Sequence, residues 1–129
     1  MTALSYNPIH CVVCNLELPP ERMALSPRLA EAIAHWNEMA AAIDRLWLDS
    51  GAYEDWARSQ LSELASPVNV EGRRLAGELN GSRRCYYWYF VDTDAAAGLV
   101  SCPGCHRPLR TMSCGPFRQA FCDECSLIG

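Results

Sequence analysis

The chain has 129 residues, half of them hydrophobic, so it can form one compact unit with a small satellite but is short for two independent domains. It has no apolar run of about 18 residues and no signal-peptide pattern at its N-terminus, so we expect a cytoplasmic protein without membrane contact. All eleven basic residues are arginine, yet the net charge is −4, which argues against a strongly basic nucleic-acid-binding domain.

The charge differs between the two halves of the chain. Residues 1–70 carry four arginines and nine acidic residues, a net charge of −5, whereas residues 71–129 carry seven arginines and six acidic residues, a net charge of +1. The front half is therefore the acidic one.

The first predicted helix has clear start and stop signals. The two prolines that end the segment from His10 to Pro20 exclude a helix there. Ser26 is a predicted N-cap, Pro27 suits the first helical position, and Ser50-Gly51 ends the helix. Apolar residues between these points recur at spacings of three and four, which is typical of an amphipathic helix. They are Leu29, Ile33, Trp36, Ala40, Ile43 and Trp47.

Two shorter helices are predicted next. One runs from about Tyr53 to Ala65 and is stopped by Ser66-Pro67. The other runs from about Val70 to Asn80 with Asn69 as its cap, and its two internal glycines weaken it. The predicted helical core consists of Trp36, Ile43, Trp47, Trp56 and Leu64.

Four cysteines near the C-terminus have the spacing of a zinc site. Sixteen residues separate the pair Cys102 and Cys105 from the pair Cys122 and Cys125, which is typical of two C-x-x-C turns that share one ion. Each turn directs two thiolates at the ion, and two turns complete a tetrahedron. Residues 109–121 can run out and back as two strands that reverse near residues 113–116. The spacing predicts a zinc ribbon with one structural Zn²⁺, the alternative being two disulfides or four unrelated thiols.

The residues between the helices and the ribbon are aromatic. The segment from Cys85 to Val91 contains five consecutive aromatic residues, which favours a β-strand. The predicted fold class is therefore α+β: a helical unit of about three helices with an aromatic strand in residues 1–98, and a zinc ribbon packed on it in residues 99–129.

Cys11 and Cys14 form a third C-x-x-C pair, whose role the sequence leaves open. One interpretation is a second zinc site completed by two other side chains, and another is a redox dithiol, although proline rather than a helix follows the pair. The third interpretation is a vestigial knuckle, or two partly buried thiols near the ribbon. The residues considered as further ligands are His10, His35, Cys85, His106 and Cys114.

The chain contains no recognisable catalytic motif. A Ser-His-Asp order, a paired-carboxylate pattern, a phosphate loop and a dinucleotide fingerprint are all missing from the sequence. We therefore predict that the protein is not an enzyme.

The aromatic strand and its neighbouring arginines indicate a binding surface. Alternate residues of a strand share one face, so one set of aromatic side chains enters the core and the other can stack on a ligand such as a nucleic-acid base. The predicted surface consists of Arg83, Arg84, Tyr87, Arg107 and Arg110.

The cysteine pairs occur together with further segments along most of the chain. These are Leu16 to Pro20, Trp36 with Asp44-Arg45-Leu46, Val68 to Leu79, Gly115-Pro116-Phe117 and Ser126-Leu127. The combination resembles a bacterial family of uncharacterised zinc-ribbon-containing proteins that are described only as candidates for nucleic-acid binding. The resemblance implies that the four C-terminal cysteines are the metal ligands, and that the chain corresponds to the C-terminal part of longer family members.

Two functions follow as hypotheses. The first is a binding module for nucleic acid or for a nucleic-acid-processing complex. The second is a protein-binding adaptor, or an immunity-type inhibitor, that acts through its acidic helical face. The acidic residues of that face are Glu31, Glu38, Asp49, Glu54 and Asp55. The sequence does not indicate an oligomeric state.

Overall fold

The computed structural model describes residues 1, 7–81, 83–92, 100–114 and 117–129. Over these ranges the chain forms three α-helices followed by a four-stranded mixed sheet, which confirms the predicted α+β class. A 3₁₀ turn at Pro20–Arg22 precedes the first helix. The helices are α1 (Pro27–Asp49), α2 (Glu54–Ser62) and α3 (Pro67–Leu79). The strands are β1 (Tyr87–Trp88), β2 (Arg110–Cys114), β3 (Phe117–Cys122) and β4 (Leu127–Ile128).

The same Ser-Pro signal starts α1 and α3. The Ser26 side chain accepts a hydrogen bond from the Leu29 backbone N–H, and the Ser66 side chain accepts one from the Asn69 backbone N–H. The predicted start of the third helix at Val70 was therefore wrong, because Ser66-Pro67 begins that helix as well as limiting α2. Proline is harmless there, since the first turn of a helix does not use its backbone N–H groups.

Asn69 is buried and connects α3 to α2 through side-chain hydrogen bonds. It is not the predicted N-cap. Its side-chain amide lies within hydrogen-bond distance of three carbonyl oxygens at the end of α2, those of Gln60 at 3.2 Å, Leu61 at 2.8 Å and Glu63 at 2.8 Å. These contacts satisfy carbonyl groups that a helix C-terminus leaves without intrahelical partners.

Two aromatic side chains pack on α3 through a glycine. The rings of Trp36 and Tyr87 meet edge to face, with centroids 5.8 Å apart. A Cβ on Gly72 would lie 2.3 Å from Tyr87 Cε2 and 2.8 Å from Trp36 Nε1, so only glycine fits. Trp36 Nε1 donates to Val68 O at 2.9 Å, and the Tyr87 hydroxyl donates to Asn69 Oδ1 at 2.8 Å. Both polar tips are therefore satisfied inside the core.

The predicted helical core is correct except at Trp56. Trp36 is buried, and Ile43, Trp47 and Leu64 are half-buried. Trp56 is 50% exposed, because the buried side of α2 is formed by Ala57 and Leu61.

The sheet joins the helical part to the cysteine-rich part. Its strand order is β1-β4-β3-β2, with β1 parallel to β4 through Tyr87 beside Leu127. Of the predicted strand from Cys85 to Val91, Tyr87 and Trp88 alone have strand structure. The core contains residues from both parts, among them Leu75 and Cys102. The predicted domain boundary at residue 98 lies outside the described residues and stays a prediction.

None of the described helices has the length and the apolar character that crossing a lipid bilayer requires.

Candidate metal centre

The four predicted ligands lie together at one end of the sheet. The sulfur atoms of Cys102, Cys105, Cys122 and Cys125 are all within 4.8 Å of one another. Zn–S bonds of about 2.3 Å in a tetrahedron place the sulfur atoms roughly 3.8 Å apart. The Sγ atoms of Cys105 and Cys122 are separated by 3.6 Å, which is close to that value. The cluster can therefore hold a tetrahedral metal ion.

The first turn of the cluster, residues 102–105, is closed by backbone hydrogen bonds. The Cys102 N–H donates to Arg107 O and the His106 N–H donates to Cys102 O, both at 2.8 Å. His106 has a left-handed φ of 60°, which turns the chain back after the second cysteine. The Gly104 N–H donates to Cys102 Sγ at 3.3 Å, and a Cβ on this glycine would lie 3.0 Å from Cys125 Sγ.

The second turn of the cluster, residues 122–125, joins β3 to β4. Cys122 pairs with Leu127 across these strands, and the Cys125 N–H donates to Cys122 Sγ at 3.4 Å. Ser126 follows with a left-handed φ of 53°, as His106 does in the first turn. Both turns thus direct two sulfur atoms and backbone N–H groups toward the same point.

Crowding of the four thiols affects their protonation. Burial, and then the neighbouring Cys102 and Cys105 thiols, raise the pKa of Cys125 to about 12. A divalent cation would favour the thiolate form, and its binding would release protons, so metal affinity should rise with pH. Four sulfur donors without a carboxylate fit Zn²⁺ well.

Three of the predicted surface arginines meet at the second turn of the cluster. Arg84 donates to the backbone oxygen of Asp123, and Arg110 Nη1 lies 2.8 Å from Asp123 Oδ2. Arg107 Nη1 lies 2.7 Å from Glu124 Oε2. Neither acidic residue is among the predicted site residues, although both stand between two predicted ligands in the sequence.

The tyrosine that contacts Arg84 is Tyr86, and not the predicted Tyr87. The Arg84 guanidinium lies over the Tyr86 ring, 5.1 Å from its centroid, and Arg110 lies over the Phe121 ring at 4.9 Å. The two rings meet edge to face at 5.7 Å. We call these four residues the arginine–aromatic row. Tyr87 is only 4% exposed, so it belongs to the core instead of to an exposed surface.

Asp123 lies at the centre of the row. The Tyr86 hydroxyl, and then the Arg110 and Arg84 guanidiniums, hold the pKa of Asp123 below its usual range. The carboxylate therefore stays charged and orders the surrounding side chains. Arg83 is exposed beside the row and lines a cavity that Arg84 and Cys11 also line.

Cys11 and Cys14 lie apart from the four-cysteine cluster. That cluster is the only group of three or more metal-binding side chains among the described residues. Cys14 is exposed and Cys11 is half-buried. Backbone N–H groups of Cys14 and Val13 lower the pKa of Cys11. Burial raises the pKa of Cys85, which is half-buried nearby.

Comparisons with known proteins give no match to this chain, whether with protein families, with curated proteins or with solved structures. The family resemblance therefore stays a prediction.

Proposed function

We propose that the chain is a non-enzymatic zinc-ribbon module with one structural Zn²⁺ bound by Cys102, Cys105, Cys122 and Cys125. The cysteine spacing and the clustering of the four sulfur atoms support this proposal. Four protein ligands complete the tetrahedral coordination sphere of the ion, so no coordination position is left for a substrate. The ion would hold together a small sheet whose strands are only two to six residues long. Free thiols at the described cysteines suit a reducing compartment such as the cytoplasm.

The proposed ligand of this module is single-stranded nucleic acid, either alone or within a nucleic-acid-processing complex. The arginine–aromatic row is the observation that carries this proposal. Arginine guanidiniums stack on bases and bind phosphate oxygens, and Arg84 and Arg110 are both largely exposed. Residues 83–129 contain five arginines and four acidic residues, and a Zn²⁺ ion with four thiolates would add a formal charge of −2. Attraction of nucleic acid would therefore come from the local row of arginines and not from net charge.

Asp123 and Glu124 would compete with phosphates for the same guanidiniums. Binding should therefore be moderate, with a Kd on the order of micromolar at low salt, and it should weaken steeply as salt is added. Glu124→Gln releases Arg107 from its ion pair and should tighten binding. Unchanged or weaker binding by this variant would contradict a role for Arg107.

The test is a titration of the zinc-loaded protein against labelled single-stranded and double-stranded DNA and RNA at two salt concentrations. The triple variant Arg84→Gln, Arg107→Gln, Arg110→Gln should lose most of the affinity. The matched control is Arg28→Gln, Arg58→Gln, Arg74→Gln, which removes the same charge and also breaks surface ion pairs, but on the helices. The control should bind nearly as the parent does, apart from a small long-range charge effect.

Equal losses of affinity in the two triple variants would indicate that net charge alone attracts nucleic acid. No binding at low salt would reject the nucleic-acid proposal while leaving the zinc ribbon itself unaffected.

A second candidate function is supported by the helices. Glu31, Glu38 and Asp49 are exposed and lie on one side of α1, since their spacings of seven and eleven residues correspond to nearly whole numbers of turns. Tyr53 and Trp56 are exposed just beyond the end of α1. Acidic side chains beside exposed aromatic residues suit a basic protein partner.

The protein-partner candidate makes a different prediction. A partner captured by the parent chain should be lost from Glu31→Gln, Glu38→Gln, Asp49→Asn and kept by the arginine triple variant at residues 84, 107 and 110. The opposite pattern would assign the partner to the ribbon.

A further inference from the structure

We infer that Cys11 and Cys14 form one half of a second zinc site, which two copies of the chain complete together. This inference goes beyond the zinc-ribbon proposal, because it concerns different cysteines and does not depend on nucleic-acid binding.

The segment around Cys11 and Cys14 has the same backbone hydrogen bonds as the first turn of the four-cysteine cluster. The Cys11 N–H donates to Leu16 O at 2.9 Å, and the Asn15 N–H donates to Cys11 O at 2.8 Å. The equivalent bonds in the four-cysteine cluster lie 91 residues later in the chain. They run from the Cys102 N–H to Arg107 O and from the His106 N–H to Cys102 O. We call residues 9–18 the N-terminal knuckle.

The flanks of the two segments match in the same way. An isolated bridge joins His10 to Glu17, and the same shift gives the bridge between Ser101 and Pro108. The next bond outward, from the Leu18 N–H to Ile9 O at 2.8 Å, has its counterpart between residues 109 and 100 at 3.2 Å. Asn15 has a φ of 56°, and the equivalent residue of the ribbon turn has a φ of 60°.

The N-terminal knuckle also directs backbone N–H groups at a sulfur atom. Backbone N–H groups of Cys14 and Val13 lower the pKa of Cys11. Val13 stands at the position of Gly104, whose N–H donates to Cys102 Sγ. The backbone of the N-terminal knuckle is thus the one that carries Cys102 and Cys105 in the four-cysteine cluster.

The N-terminal knuckle supplies only two of the four ligands that zinc requires. Among the side chains that the structure describes, no third metal-binding group lies close enough to Cys11 and Cys14 to form a cluster with them. The His10 ring nitrogen Nδ1 contacts Asn15 O at 3.1 Å, and Cys85 is half-buried with its sulfur 3.7 Å from Tyr86 O. Ligands from another chain would therefore complete the site.

A second copy of the chain is the partner that fits. Cys14 is exposed, and the apolar side chains beside it are exposed as well, with Val13 at 59% and Leu16 at 68%. A twofold axis through the ion gives each copy the same role, so four thiolates of equivalent geometry surround one Zn²⁺. The same symmetry places the exposed valine and leucine of one copy beside those of the other, where they lose contact with water.

The test is native mass spectrometry of the full chain during titration with Zn²⁺, with sedimentation to measure the oligomeric state. The parent should form a dimer that holds about three zinc ions per two chains, two in the ribbons and one shared. Cys11→Ser, Cys14→Ser should be a monomer with a single zinc and an unchanged circular dichroism spectrum. Cys85→Ser is the matched control and should dimerise as the parent does.

Any result other than these would contradict a zinc site shared by two chains. A monomer with one zinc at every zinc concentration would show that the N-terminal knuckle binds no metal. A monomer with two zinc ions, one of them lost in Cys85→Ser, would place the second site within a single chain. A dimer that survives Cys11→Ser, Cys14→Ser would use another surface. Failure of the ribbon proposal would look different, because Cys122→Ser, Cys125→Ser would then leave the zinc content unchanged.

Discussion

At the scale of single residues, two glycines of α3 illustrate how surroundings decide a residue's role. Gly72 faces the rings of Trp36 and Tyr87, whereas a Cβ on Gly77 would have no neighbouring atom within 4 Å. Helix propensity alone predicts that both glycines weaken the helix, since glycine is unfavourable in a helix interior by roughly 1 kcal/mol relative to alanine. The structure gives only the first of them a packing function.

Alanine at these two positions should have opposite effects on stability. Gly72→Ala forces a methyl group into two aromatic rings and should lower the free energy of unfolding by about 1 to 3 kcal/mol. Gly77→Ala should raise it by about 0.5 to 1 kcal/mol, because alanine restricts the unfolded chain and favours the helix. Urea unfolding of the zinc-loaded protein measures both. A shift of the same sign in both variants would contradict the packing described for Gly72.

The Tyr87 hydroxyl provides a second prediction at this scale. Tyr87→Phe leaves buried Asn69 Oδ1 without its donor and should lower the free energy of unfolding by about 1 to 2 kcal/mol at neutral pH. Tyr53→Phe is the control. Because Tyr53 is exposed, this substitution should change the free energy of unfolding little.

The effect of Tyr87→Phe should depend on pH in one direction. Burial raises the pKa of Tyr87, so the unfolded chain releases this proton first. The stability that the neutral phenol contributes is complete below about pH 10, the unfolded pKa, and is lost as pH rises toward the folded pKa. The difference in free energy of unfolding between the parent and Tyr87→Phe should therefore become smaller above about pH 10. A difference that grows there would contradict a buried neutral phenol.

At the scale of elements, the two Ser-Pro caps differ in burial. Ser26 is exposed and caps α1, whereas Ser66 is buried, caps α3 and also donates its hydroxyl to Gln60 O. Ser26→Ala should lower the free energy of unfolding by about 1 kcal/mol, which is typical of a lost N-cap. Ser66→Ala should cost more, since it also leaves a carbonyl group without its partner. Equal losses would mean that the Ser66 hydroxyl bond to α2 adds nothing.

Elements with local signals could be predicted from the sequence, and those set by tertiary contacts could not. The cap and the stop of α1 lie in its own sequence, and the cysteine spacing determines which four sulfur atoms can meet. In contrast, the start of α3 required knowing that one Ser-Pro pair both limits α2 and begins the next helix. Which of Tyr86 and Tyr87 enters the core depends on how β1 pairs with β4, and strand alternation alone cannot decide it.

At the scale of the whole molecule, the four-cysteine cluster is continuous with the core. Strand β1 pairs with β4, which directly follows the second cysteine turn, and Cys102, Cys122 and Leu127 belong to the same hydrophobic cluster as Trp36 and Leu75. A change in the metal centre should therefore reach the helices through packed side chains.

This continuity predicts that zinc removal affects more than the ribbon. A strong chelator should change the near-ultraviolet circular dichroism of the packed tryptophans in the same step in which the ribbon strands are lost. The zinc-loaded protein should unfold in one transition by both probes. Two separate transitions, with the helices unaffected by chelation, would show that residues 1–98 and 99–129 fold independently.

The most direct test of the central claim is the zinc content of the four-cysteine cluster by itself. In the Cys11→Ser, Cys14→Ser variant, the native mass should exceed the denatured mass by one zinc ion, and adding Cys125→Ser should abolish that excess together with the sheet signal. A folded variant whose native and denatured masses agree, with all four C-terminal thiols open to alkylation, would contradict a structural zinc at this site.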